Sequence, residues 1–374
     1  MRALANIYRL GIKELWSLVR DPAMLVLIVY VFSGAIYIAA NAMPDSINLA
    51  GIAIVDEDDS PLSLRIVSAF HPPRFTKPAM IGLDEVDKGM DKDRFTFALD
   101  IPPGFQSDVL AGRNPQIQLN VDATRMSQAF VGSGYIQEIA MGEVDAFVEG
   151  RRGPAVLPVE LALRMRFNPN LTQSWFGGVV ELINNITMLS IILTGAALIR
   201  EREHGTLEHL LVMPVTPFEI MTAKVWSMGL VVLTATACCL LFIIRGALHV
   251  PIEGSISLFL LGTAMHLFAT TSLGIFLGTL ARSMPQFGML LILILLPMQM
   301  LSGGNTPRES MPQLVQDIML AAPTTHFIEL GQAILFRGAG PDVVWKPLLF
   351  LAVIGCVFFA VSLGRFRKTI GRMA

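Results

Sequence analysis

The chain has 374 residues, and those best suited to chemistry fall into a few small groups, none of them arranged like a catalytic centre. The densest is Arg200-Glu201-Arg202-Glu203-His204-Gly205-Thr206-Leu207-Glu208-His209-Leu210-Leu211-Val212-Met213-Pro214. Thr206 can cap a short helix, and Glu208 in its first turn suits the positive end of the helix dipole. Leu207, Leu210 and Leu211 form one apolar edge, and Pro214 stops the helix. Thr216-Pro217-Phe218-Glu219 then has the form of a capping box with proline in first place, so a new helix starts there. This predicts a rigid, charged helical knob suited to docking another protein. The plainer alternative is a mixed-charge loop that closes a membrane span, which would need no such caps.

A second group is polar residues inside apolar stretches: Glu181, Asn184, Asn185 and His266. An ionisable group in a span is a functional candidate by default, although Glu181 falls near the outer end of its span, within reach of water, and either Glu181 or His266 could simply hydrogen-bond a neighbouring helix. Asn184 and Asn185 could line a cavity or join helices. Gly274 and Gly278 form a small-residue face for helix packing, and Pro297 is expected to kink its helix. Asp56-Glu57-Asp58-Asp59 lacks the alternating ligands, central glycine and distal glutamate of a calcium loop, and reads as a solvated turn before a capped helix. Cys238, Cys239 and Cys356 lie in apolar runs and offer neither a disulfide framework nor a metal site. No GxxxxGK[ST] phosphate loop and no hydrolytic triad pattern occurs, so neither an enzyme site nor a bound cofactor or metal is expected.

The elements that must hold these residues are set by composition. Hydrophobic residues make up 53% and charged residues 16%, with mean hydropathy +0.58. Soluble domains carry about 25% charged residues, and the net charge of −2 offers no basic footprint for nucleic acid. The apolar residues form blocks of spanning length. Six transmembrane helices are predicted, at 23–42, 178–199, 225–244, 256–281, 286–302 and 347–364. With the N-terminus inside, twelve Lys and Arg fall in the inner segments and four (Arg245, Arg308, Arg337 and Lys346) in the short outer ones, which places both termini in the cytoplasm.

Residues 1–22 read as an interfacial amphipathic helix, with Arg2, Arg9, Lys13 and Arg20 on one face and Leu4, Ile7, Tyr8, Leu15, Leu18 and Val19 opposite. That pattern favours a retained anchor over a signal peptide, despite Ala40-Asn41-Ala42. Residues 43–177 change character and predict an α/β domain outside the membrane. Its strands are expected near 49–55, 95–101 and 117–121, and its helices near 60–70, 83–89 and 127–148, with another after Pro103-Gly104. Between 303 and 345, short helices at 312–322 and 325–336 are expected, with Ser302, Gly303, His326, Glu329 and Arg337 as candidate exit-gate residues. For the side chains of this segment, plain surface solvation is the simpler reading.

Three segments carry a resemblance to the ABC-2 type transport permeases. They are Glu201 to Pro214; Leu301-Ser302-Gly303-Gly304 with Pro307 and Glu309-Ser310-Met311-Pro312; and Arg166-Phe167-Asn168-Pro169-Asn170. The large insert after the first span is similar to one branch of that family, and the resemblance covers essentially the whole chain. It implies an α-helical polytopic exporter subunit with six transmembrane helices in a bacterial inner membrane, working as a homodimer or heterodimer of permeases. Separate ATP-binding cassette subunits would carry ATP and Mg, and a periplasmic adaptor and outer-membrane channel would join them. The helix in 200–214 would be the coupling helix, with Glu201, Glu203, Gly205, Thr206, Glu208, Leu211 and Pro214 at the contact. Glu181, Asn184, Asn185 and His266 would be candidates for the translocation path. Short helices at 303–345 would close the exit. Hydrophobic small molecules or drugs would be the cargo. An ion-gradient-driven carrier, or a membrane scaffold or sensor with a ligand-binding domain, is the alternative.

Overall fold

A computed structural model describes residues 2–42, 49–92, 94–122, 126–152, 172–203, 205, 214–304, 306 and 308–370. The chain divides into two units: Met43–Leu171, and Met1–Ala42 together with Thr172–Ala374.

The second of these is helical. It begins with α1 (Arg2–Val19), α2 (Pro22–Tyr30), a π-helical turn (Val31–Ala35) and α3 (Ile36–Ala42). It continues with α8 (Gln173–Glu203), α9 (Pro217–Cys239, running into a π-helical segment Leu240–Ala247), α10 (Ile256–Leu280) and α11 (Met284–Met300), and closes with α12 (Gln313–Met319), α13 (Pro323–Leu335) and α14 (Pro341–Ile370). Among the described residues, five apolar stretches are long enough to cross a membrane: Pro22–Ala42, Ser174–Glu203, Pro217–Ala247, Ile256–Leu280 and Pro341–Lys368. Met284–Met300 is apolar but shorter. Its 17 residues rise roughly 25 Å, against the roughly 30 Å of a hydrocarbon core.

Several helices outrun the apolar windows expected from sequence, because a helix continues until a cap stops it rather than until polarity begins. The expected 178–199 lies inside the longer α8, and 347–364 inside α14, which carries Pro347 within it. The span expected at 225–244 lies inside a helix that begins at Pro217, where Thr216 and Glu219 form the expected reciprocal capping box. Pro323 opens α13 at its first position rather than only breaking the helix before it. Pro297 lies in the last turn of α11.

At the centre, α8 packs along α10 through small and hydroxyl residues. The Ser190 hydroxyl donates to Thr270 Oγ1 at 2.7 Å, and Thr187 Oγ1 lies 2.9 Å from His266 Nε2. Gly274 lets the backbones close together: a Cβ there would sit 2.2 Å from Thr194 Oγ1 and 2.6 Å from the Ile191 carbonyl oxygen. Such small-residue contacts replace the hydrophobic driving force that lipid removes. On the other side of α10, the Ser362 hydroxyl of α14 donates to the Ser272 carbonyl at 2.8 Å.

The Met43–Leu171 unit holds β1 (Ile52–Asp56), α4 (Pro61–Ala69), β2 (Ala79–Met80), α5 (Val86–Asp91, after a 3₁₀ turn at Leu83–Glu85), β3 (Phe97–Ile101), α6 (Phe105–Leu110), β4 (Gln118–Val121) and α7 (Met126–Arg152). The sheet runs β2-β1-β3-β4, with β1 parallel to β2 and β3 and with β4 antiparallel to β3. Strand β2 was not expected, since two exposed residues carry no alternation to read. Leu62, Ile66, Phe105, Ile136 and Phe147 close one sheet face; Val86 and Phe95 close the other. The acidic run is a turn in which Asp56 Oδ1 accepts from the Asp58 and Asp59 amides, both at 3.1 Å, and the Ser60–Ser63 capping box follows.

A Gly274→Ala variant is expected to lower the detergent-solution melting temperature clearly, since overpacking costs about 1–3 kcal/mol. Gly134→Ala, on α7 with no atom within 4 Å of the added methyl, is expected to be neutral or to stabilise by up to about 1 kcal/mol. Fluorescence-detected size-exclusion thermostability of the two variants checks the contrast; equal melting temperatures would count against the close α8–α10 packing.

Candidate functional site

The last turn of α8 is a junction. Glu201 Oε1 accepts from Lys13 Nζ at 3.0 Å, and Glu201 Oε2 lies 2.8 Å from Lys224 Nζ. Lys224 also donates to Glu14 Oε1 at 2.9 Å, and its side chain is only 2% exposed. Two ammonium and two carboxylate groups from α1, α8 and α9 thus balance one another in a cluster that is buried except at Lys13. Balance matters because a buried charge without its partner costs several kcal/mol.

The neighbours of Glu201 on α8 also hold other elements. Arg200 Nη1 donates to Asp21 Oδ2 at 2.9 Å, while Asp21 Oδ1 caps α2 by accepting from the Met24 amide at 3.2 Å. Arg202 Nη1 donates to the Ala281 carbonyl at 2.7 Å, at the C-terminal end of α10. Glu203 Oε1 accepts from the Met284 amide at 3.1 Å, at the N-terminal end of α11. A cation at a helix C-terminus and an anion at the next N-terminus both match the helix dipoles. Four consecutive residues therefore bind α1, α2, α9, α10 and α11 to the end of α8.

The α1 helix lies on α9 as an arm. Trp226 Nε1 donates to the Ile7 carbonyl at 3.3 Å, its ring stacks on Tyr8 with centroids 6.3 Å apart, and Asn6 Nδ2 donates to Glu219 Oε1 at 3.4 Å. Gly11 leaves the space for that ring, since a Cβ there would fall 2.0 Å from it. The single apolar face expected for α1 is corrected. Gly11, Glu14 and Leu18 turn toward the bundle, whereas Leu4, Tyr8, Trp16 and Val19 are exposed. The helix meets protein on one side, so its apolar residues divide between two faces.

Beyond Glu203 the helix stops at Gly205. Its φ of +67° is the left-handed conformation of a helix-ending glycine, and its amide donates to the Arg202 carbonyl at 3.1 Å. Of the residues read as a coupling contact, Thr206, Glu208 and Leu211 lie outside the described residues. Pro214 is exposed ahead of the Thr216 cap. Glu201 is turned into the buried cluster and Glu203 onto α11, so both side chains are engaged within the chain.

The other candidates divide into sealed and open groups. His266 is fully buried and stacks on Phe327 of α13, with centroids 4.2 Å apart, so it sits in a helix interface rather than on an open face. His326 was expected at a solvated surface. It is buried instead: its Nε2 lies 2.9 Å from the Leu320 carbonyl and its ring stacks on Phe350 of α14. Glu329 is exposed. The Ser302 hydroxyl donates to the Gln299 carbonyl at 2.9 Å, and Gly303 takes a φ of +96°; together they terminate α11. Asn185 Nδ2 donates to the Val31 carbonyl at 3.1 Å, where the π-helical turn begins. Asn184 is buried beside it, and Glu181 is half-buried next to both. Glu14, Asp21, Lys224 and Trp226 were not read as site residues. The available signals were one acid on an otherwise basic helix and one lysine at the edge of an apolar run.

Lys224→Met leaves Glu14 and Glu201 buried together and is expected to cost about 3–5 kcal/mol. Lys13→Met removes a half-exposed partner and is expected to cost about 1 kcal/mol or less. Melting temperatures of the two variants in detergent check the ranking; a Lys13 effect as large as the Lys224 effect would overturn it.

The comparisons with known proteins agree with this architecture. Residues 23–363 match the family model described as ABC-2 family transporter protein. The chain is 64% identical over 374 residues to the inner membrane transport permease YhhJ of Escherichia coli (strain K12), covering all of both chains. It is 28% identical over 361 residues to the probable multidrug ABC transporter permease YbhR of the same strain, covering 96% of this chain and 97% of that one. It is 24% identical over 360 residues to the probable multidrug ABC transporter permease YbhS, covering 94% of each. With helices of membrane-spanning length and a relationship that extends over essentially its full length, the chain belongs to the ABC-2 transporter family and is a multi-pass transport permease.

Proposed function

We propose that the chain is the membrane subunit of an ATP-binding cassette exporter and that residues 200–214 couple it to a separate ATPase. The observation that carries this reading is the junction at Glu201–Arg202–Glu203, from which the segment beginning at His204 leaves α8. A partner pressing on 204–214 would load a turn that is tied to α1, α2, α9, α10 and α11 at once. Glu201 and Glu203 then act as positioning residues that pass the displacement on, while Thr206, Glu208 and Leu211 make the contact.

In this reading α2–α3, α8, α9, α10, α11 and α14 are six spans of a bacterial inner-membrane protein with both termini cytoplasmic. The exposed Leu4, Tyr8, Trp16 and Val19 of α1 rest in the lipid interface, and the α/β unit lies outside the cytoplasm. Two permease copies, or one copy and a paralogue, enclose the path for hydrophobic small molecules or drugs. ATP and Mg are handled by the partner ATPase, since the sequence carries no phosphate loop. A periplasmic adaptor and an outer-membrane channel would meet the α/β unit.

Purification of the tagged permease from mild detergent is expected to recover an ATP-binding cassette protein and its ATPase activity. Glu208→Lys is expected to cut that recovery about tenfold while leaving the permease monodisperse. Recovery of permease alone from wild type, or ATP-independent transport driven by an ion gradient, would overturn the proposal.

A further inference from the structure

The central helix α8 is buried almost throughout. Between residues 177 and 196, only Gly177, Glu181, Met188 and Ile192 keep partial exposure. Their spacings of four, seven and four place them on one face of the helix. Glu181 is also the one acid in the spanning helices more than two turns from a helix end, among the described residues. A carboxylate in such a place calls for a counter-charge. The described structure supplies hydrogen-bonding neighbours, Asn184 and Asn185, and no Lys, Arg or His paired with it.

Asn184 and Asn185 are held from opposite sides, the first by its backbone carbonyl and the second by its side-chain amide. Asn185 is tied to α2–α3 through the Val31 carbonyl, and the Asn184 carbonyl accepts from Gln299 Nε2 of α11 at 3.5 Å. The stripe therefore opens between α2–α3 and α11. Asn184 is 7% exposed, and its side-chain oxygen Oδ1 has no hydrogen-bond partner in the described structure. A buried amide oxygen without a donor is a cost that a ligand can remove.

From these observations we infer that the Glu181–Asn184–Met188–Ile192 stripe is the recognition site for an amphipathic organic cation. The carboxylate and the Asn184 oxygen meet its positive end. Met188 and Ile192 lie along its apolar body, and a methionine adapts to bodies of differing shape. From Glu181 to Ile192 the helix rises roughly 16 Å, the length of a drug-sized amphiphile. The inference rests on the permease reading above and narrows its cargo from hydrophobic molecules in general to positively charged ones.

The test is equilibrium dialysis of radiolabelled tetraphenylphosphonium against the purified full-length protein in neutral detergent, with a separate dialysis of radiolabelled tetraphenylborate as a probe of the same shape and opposite charge. Wild type is expected to bind the cation and to be indifferent to the anion. Glu181→Gln is expected to weaken binding about tenfold or more, and Glu181→Asp to hold it within a few-fold. Asn184→Asp, which adds a second carboxylate, is expected to tighten it, a gain that misfolding cannot mimic. Absence of wild-type binding, equal binding by wild type and a folded Glu181→Gln protein, or binding of tetraphenylborate as tight as that of the cation would overturn the site. If Glu181→Gln does not fold, the Asn184→Asp result decides: tightening supports the site and no change refutes it.

Dialysis needs no ATP, so the two readings fail separately. Binding that depends on Glu181 without ATP-driven uptake of the cation into inverted vesicles counts against the exporter and not the site. ATP-driven transport of other compounds without cation binding counts against the site alone.

Discussion

Lys224 is the pivot of the helical unit. Its ammonium group is closed off from solvent and shared between Glu14 and Glu201, side chains separated from it by 210 and 23 positions in sequence. Removing it would leave two carboxylates buried together, and removing them would leave its ammonium group buried alone. The arm α1 is therefore held to α8 and α9 by an interaction that fails as a whole when one member is removed. The aromatic seat of Trp226 on Ile7, Tyr8 and Gly11 adds shape to that attachment. The charges set which residue faces which.

From this pivot the end of α8 extends its hold by helix-end chemistry. Arg202 and Glu203 serve two different helices across the turn at 281–284, each with the charge sign its helix end favours. Shifting the end of α8 therefore shifts the ends of α10 and α11 or breaks caps worth a substantial fraction of a kcal/mol each. Close packing of α8 on α10 around Gly274 carries any such shift along the length of both helices, because that interface has no slack for one to slide on the other. A stiff transmission of this kind needs no special flexible element. It needs only that the loaded turn be the shared one.

What the sequence made legible was local, and what it hid was not. The Thr216–Glu219 box and the Ser60 cap before α4 are set by neighbours within four positions, so spacing alone revealed them. The apolar blocks gave helices but not their ends, as α8 and α14 illustrate. The Glu14–Lys224 pair and the Asn185 bond to Val31 join positions 210 and 154 apart, which no periodicity can register. The same limit explains Glu201. Its motif marked it as a contact residue, yet only the fold brings Lys13 and Lys224 to it and turns it inward. His326 shows the reverse, a polar residue in an apparently exposed segment that Phe350 covers.

The polar groups of the helical unit sort into two populations, and the contrast bears on how the molecule divides its tasks. Around Glu201 the charges are matched two by two, with helix ends absorbing what remains. Arg202 keeps Nε and Nη2 without a hydrogen-bond partner in the described structure, but the paired carboxylates and ammonium groups suit the region to bearing load. Around Glu181 the carboxylate has amide neighbours but no described counter-ion, Asn184 keeps an oxygen without a donor, and the helix face is partly open. A fold that pairs the buried carboxylates Glu14 and Glu201 with Lys224 could pair Glu181 with a single well-placed lysine in the same way. Leaving it unmatched costs stability, a cost to be expected where binding a partner from outside restores the balance.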